Sequence, residues 1–170
     1  HLGRNTTAKL GYNTDTQTAL YDPKKARQGA PLGGMTADQL KSAVSILWAG
    51  HCSVHKLFRP EHCSAIRAEN AANPAATPIT ILVHPECAKE VVDLSDLNGS
   101  TEYIINTVRA AAPGSRFAIG TEVHLVNRLA TEAAAGQKAH LFRARIGIQG
   151  RFAKPFAPDL AHTLDLGGAQ

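Results

Sequence analysis

Apolar positions come in short runs, and their spacing changes along the chain. Through residue 35 no period is sustained. Gly11, Pro23, Gly29, Pro31 and the pair Gly33-Gly34 punctuate this stretch, and the pattern predicts irregular structure. Thr36-Ala-Asp-Gln39 has the spacing of a capping box and predicts the start of a short helix. Val44–Trp48 is a compact apolar run ending at Ala49-Gly50, which predicts a buried strand with Trp48 in the core. From Ser53 to about Asn70 the spacing of Val54, Leu57, Phe58 and Ile66 predicts one helix face.

Ile79–Val83 predicts a second strand, followed by His84-Pro85-Glu86-Cys87. Val91, Val92 and Leu94 fall in a short helix, and Asn98-Gly99 predicts a turn. Ser100 is placed to cap a helix through Ile104, Ile105 and Val108, an apolar stripe read as core. After the turn at Pro113-Gly114, Arg116–Ile119 predicts a third strand, Gly120-Thr121 a turn and Glu122–Ala130 a helix. Strands alternating with helices predict an α/β fold with parallel strands. Beyond Gly136 the apolar residues lose any period, and Gly147, Gly150, Pro155, Pro158 and Gly167-Gly168 break the chain.

A chain of 170 residues forms one domain or two small ones. At 44% apolar and 19% charged it is neither disordered nor collagen-like, and no apolar run is long enough to span a bilayer. The excess of 18 basic over 14 acidic residues is uneven. Residues 138–170 hold Lys138, Arg143, Arg145, Arg151 and Lys154 against Asp159 and Asp165, so the rest is almost neutral. With aromatics at 5%, the body lacks the basic face and stacking platforms of a nucleic-acid binder. The chain opens at His1 rather than Met, which predicts a processed protein or a fragment. No basic-then-apolar leader precedes the body, which predicts a cytoplasmic location. Three cysteines without a leader point to free thiols or a metal centre rather than disulfides.

In parallel α/β sheets ligands gather beyond the carboxyl ends of the strands. Each predicted strand here ends in reactive residues: Gly50-His51-Cys52-Ser53-Val54-His55, then His84-Pro85-Glu86-Cys87, then Gly120-Thr121-Glu122. Cys52 falls at the predicted start of a helix, where the dipole and free amides favour a metal-binding thiolate. His55 would share its helix face. The competing reading is a buried cysteine acting as a small hydrophobe. Cys52, His55, His62 and Cys63 also have the composition of a small zinc or interaction module, although the residues between the two pairs look helical. His84 and Glu86 suit proton transfer if burial tunes them, and a solvated loop if it does not. Ser100 and Thr101 open a helix where an anion or phosphorylated metabolite would fit, or simply cap it.

Together the stretches HLGRNT (1–6), ILWAGHCSVH (46–55), ILVHPECAKEVVDLSD (81–96), GSTEYII (99–105) and PGSRFAIGTEVHLVNRLATE (113–132) resemble the quinolinate synthase family, in family order. The resemblance implies αβα domains with short parallel sheets in a pseudo-threefold arrangement. It places residues 1–52 in the end of a middle domain, 53–137 in most of a third domain, and 138–170 in a divergent tail. It implies condensation of iminoaspartate with dihydroxyacetone phosphate to quinolinate in de novo NAD biosynthesis, with L-aspartate oxidase as a functional neighbour. A [4Fe–4S] cluster with one open iron would serve as Lewis acid. Cys52 matches a cluster ligand, His55 an active-site histidine and His84 a substrate-binding histidine. Glu86 matches a carboxylate that binds substrate and takes part in proton transfer, and Ser100 and Thr101 match hydroxyls that hold its anionic groups. Cys87 and Cys63 receive no role. The family's N-terminal domain and its downstream cluster cysteine have no counterpart here, so the chain is expected to be an inactive fragment, with a tail of the composition a shifted reading frame gives.

Overall fold

The computed structural model describes residues 1–133 and the backbone of residues 141–142. The divergent tail lies outside the described residues, apart from that backbone. The chain divides into two compact units, His1–Cys52 and Ser53–Gln170.

The first unit is more regular than the punctuation of residues 1–35 predicts. Helix α1 spans Leu2–Lys9, strand β1 Thr18–Tyr21 and helix α2 Pro23–Arg27. Pro23 sits in the first turn of α2, where a missing N–H costs nothing, and Asp22 caps the helix by accepting from the Lys24 amide at 2.8 Å. Helix α3, Ala37–Ser42, starts at the expected capping box. Thr36 Oγ1 accepts from the Gln39 amide at 3.1 Å, and Gln39 Oε1 accepts from the Thr36 amide at 2.9 Å. Strand β2, Ser45–Trp48, pairs in parallel with β1, Leu20 opposite Leu47. A four-residue strand such as β1 carries too little period to stand out in sequence; its partner β2 makes it a strand.

Strand β2 is buried on one side only. Leu47 and Ser45 face α1: a Cβ on Gly3 would lie 3.0 Å from Leu47, and Thr7 and Ser45 share a hydroxyl hydrogen bond of 2.9 Å. Ile46 is exposed and Trp48 is 67% exposed, which corrects the expectation of a buried strand ending in a core tryptophan. Trp48 instead rests against the ring of Tyr21 at 5.3 Å.

In the second unit residues 53–58 are not helical as the spacing predicts. A single 3₁₀ turn covers His55–Leu57, and helix α4 begins at Pro60 and runs to Ala72. Proline favours the first helical position and pushes the residue before it into extended backbone, which Arg59 adopts. Then follow β3 (Ile79–Val83), α5 (Lys89–Asp93), β4 (Leu97–Asn98), α6 (Thr101–Ala110), β5 (Arg116–Gly120), α7 (Val123–Glu132) and β6 (Leu141–Phe142). β4 occupies part of the expected Asn98-Gly99 turn, and β5 runs on through Gly120, part of the expected Gly120-Thr121 turn. The strands lie in the order β4-β3-β5-β6, every pairing parallel. This is the α/β fold that the alternation of elements predicts.

Alternation along β3 and β5 sorts the core into two layers. Ile79, Ile81, Val83 and Ala118 pack with Phe58, Cys63, Ile66 and Val91 on one face. Leu82, Phe117 and Ile119 pack with Ile104, Val108, Val126 and Leu129 on the other. Side chains also extend the ladder. Asn70 on α4 accepts from the Ile79 amide at 2.8 Å and donates to its carbonyl at 2.9 Å. Asp96 accepts from the Ile81 amide at 2.7 Å and from Arg67 at 2.6 Å. Arg116, at the amino end of β5, pairs with Glu69 at 3.2 Å. These contacts lock one end of the sheet and leave the carboxyl rim to the loops.

Candidate functional site

The loop after β3 is a tight turn. The Cys87 amide donates to the His84 carbonyl at 3.0 Å, and the Glu86 amide donates to His84 Nδ1 at 3.3 Å. The end of β5 holds this turn from below. Gly120 O accepts from the His84 amide at 3.0 Å and from the Cys87 thiol at 3.6 Å. A side chain at Gly120 would press on Val83 at 3.0 Å, so the close approach of the two strands favours glycine there.

His55 comes to this turn from the 3₁₀ segment. Its ring stacks on His84 with centroids 4.7 Å apart and planes 21° apart, and Phe58 lies at 6.4 Å on the core side. His55 Nδ1 lies 2.9 Å from Glu86 Oε2. The approach is off the ring N–H direction, so this is a close polar contact rather than an aligned hydrogen bond. Nε2 is buried and has no hydrogen-bond partner among the described residues. Burial pushes the His55 pKa below its ordinary 6.5; the neighbouring His84 adds to this, and Glu86 opposes it. The imidazole is therefore held neutral, and able to accept a proton, at neutral pH.

Ser100 and Thr101 follow β4 on the same rim. The Ser100 hydroxyl caps α6 by accepting from the Tyr103 amide at 3.2 Å, which still leaves its own proton to donate. His84, Glu86, Ser100 and Thr101 thus follow strands of one parallel sheet at its carboxyl rim, and His55 stacks on His84 there; the first predicted strand, whose ending is expected to share this rim, instead belongs to the separate two-stranded sheet.

Cys52 is the last residue of the first unit and is half-buried. No helix starts there, so neither the dipole argument for its thiolate nor the shared helix face with His55 survives. The four-residue zinc alternative also loses its support. Cys63 is buried in the core on α4, where burial pushes its thiol pKa up. His62 Nδ1 accepts from the Arg59 amide at 3.2 Å, a cap on α4. Burial lowers the His62 pKa, consistent with a neutral ring that can accept there.

These features define an α/β protein with a cluster of two histidines and a carboxylate on the rim of a parallel sheet. Comparison with known proteins makes the class particular. The family described as "Quinolinate synthetase A protein" matches residues 2–148, and the chain belongs to that family. The match runs on to residue 148, into the stretch from 138 expected to be a divergent tail. A quinolinate synthase of Rhodopirellula baltica is 46% identical over 132 residues, covering 78% of this chain and 31% of the relative. Those of Acidobacterium capsulatum (47% over 130 residues, 76% and 32%) and Streptomyces coelicolor (44% over 143 residues, 84% and 33%) are similar. The chain spans about a third of the length of these curated relatives.

Proposed function

We propose that this chain carries part of the active site of a quinolinate synthase, the enzyme that condenses iminoaspartate with dihydroxyacetone phosphate in de novo NAD biosynthesis. The observation that supports it most is the stacked pair His55 and His84 with Glu86 against His55, in a chain of this family. In this reading His84, Ser100 and Thr101 hold anionic groups of the substrate. Glu86 binds beside them and exchanges a proton with the neutral His55. The reaction is cytoplasmic, and its unstable imine substrate is supplied by L-aspartate oxidase.

Cys52 would be one thiolate ligand of the family's [4Fe–4S] cluster, which supplies an open iron as Lewis acid when bound. The described residues do not complete such a site. Cys63 and Cys87 are buried in the same core cluster, which leaves Cys52 as the one cysteine available. Further thiolates must come from polypeptide corresponding to the rest of the relatives. By the same reading residues 1–52 are the end of a middle domain and 53–137 most of a third; the bare faces of Ile46 and Trp48 suit a domain with more layers.

The isolated chain is therefore expected to make no quinolinate and to hold no cluster after anaerobic reconstitution with iron and sulfide. Turnover above a blank would refute this. The positive test is a chimera in which residues 2–148 replace the matching segment of the Rhodopirellula enzyme. Quinolinate formation is expected, and its loss on Glu86→Gln. A chimera that folds and binds its cluster but makes no quinolinate would sink the proposal.

A further inference from the structure

Among the described residues the carboxyl rim of the second unit carries three loops, after β3, β4 and β5, and the proposed substrate site uses two of them. The third, Thr121-Glu122 after β5, stands at a distinctive place. From β3 the chain steps outward to β4, then returns to lie on the opposite side of β3 as β5. The direction of winding reverses between β3 and β5. In open parallel sheets the carboxyl ends of two such strands flank the crevice that takes a ligand. Val83 is paired with Gly120, so His84 and Thr121 are the first residues beyond the ladder on its two sides.

Thr121 is only 3% exposed, and its hydroxyl, which makes no hydrogen bond among the described residues, still reaches solvent at the rim. Its neighbour differs. Glu122 is occupied in capping α7, accepting from the His124 amide at 3.0 Å and the Leu125 amide at 3.1 Å. The Thr121 hydroxyl is free to donate to a molecule held at the rim. The unpaired buried polar atoms of this rim belong to His55, which stacks on His84. An available hydroxyl and a buried imidazole without a hydrogen-bond partner, both beside His84 at a switch point, mark a binding crevice. The surrounding donors are hydroxyls and imidazoles, which suit an oxyanion.

We propose that Thr121 is a further substrate-contact residue, its hydroxyl donating to a carboxylate or phosphate oxygen held beside His84 at the β3–β5 switch point. The inference rests on reading this rim as the substrate site. It is tested on the 170-residue chain by NMR, following the Thr121 methyl and the amides of His84 and Thr101 during titration with inorganic phosphate and, separately, malonate. The expected result is a saturable shift of the Thr121 methyl with at least one probe; which probe acts distinguishes phosphate from carboxylate.

Thr121→Val, which keeps the shape and removes the hydroxyl, is expected to weaken binding about ten-fold, and Thr121→Ser to stay within about two-fold. The unliganded Tm of Thr121→Val should equal or exceed that of the parent. A lower Tm would show a hydroxyl that serves the fold, and would overturn the inference. So would binding at His84 and Thr101 that Thr121→Val leaves unchanged, although the rim reading would then stand. No saturable shift at any rim residue would overturn both.

Discussion

At the scale of single residues, His55 carries the clearest consequence. Its pKa is lowered on folding, so the unfolded chain binds its proton more readily. Its contribution to stability is complete above the ordinary value of 6.5 and declines as pH falls through that value toward the folded one. Urea denaturation at stepped pH should show this loss, reduced in His55→Phe. Glu86→Gln removes the influence that raises the His55 pKa, so the folded value should drop further, as an imidazole NMR titration would show. An unchanged or raised value would mean that Glu86 does not act on His55. The motifs around His55, His84 and Glu86 were legible in the chain because reactive residues clustered after apolar runs. Their order of contact was not. Spacing suggested that His55 follows Cys52 along a helix, whereas Pro60 delays the helix and a 3₁₀ turn delivers His55 to the β3 rim.

At the scale of elements, helix ends and strand edges are fixed by local hydrogen bonds. Thr36→Ala removes the reciprocal cap of α3 and should cost about 1 kcal/mol in urea unfolding of the first unit. Asn70→Ala frees both backbone groups of Ile79 at the start of β3, and should cost about 1–3 kcal/mol. A cost near zero would mean that water replaces the amide at once. The capping box was readable because its residues are neighbours in sequence. The Asn70 clamp was not, because nothing in nine residues of separation says that an α4 side chain will return to the strand. Strand β1 was missed for the same reason: Thr18–Tyr21 is extended because Ser45–Trp48 lies beside it.

At the scale of the whole molecule, the two units differ in how far they bury their sheets. The four-stranded sheet has helices on both faces, as parallel sheets need. The two-stranded sheet leaves Ile46 and Trp48 bare. Trp48 is the sole tryptophan, so the folded chain should emit at long wavelength and be readily quenched by acrylamide. A blue-shifted, protected emission would show that this face is covered in solution. Among the described residues no helix is long and apolar enough to cross a membrane. The sequence alone determined the α/β alternation, the helix caps and the reactive endings of the strands, because these depend on residues close in the chain. Its motifs also pointed to the family. Tertiary structure decided which strand lies beside which, and so put the winding reversal between β3 and β5. It decided that Cys63 and Cys87 are core, that Trp48 is not, and that Thr121 stands next to His84. Those facts depend on the pairing of distant segments, which no local pattern encodes.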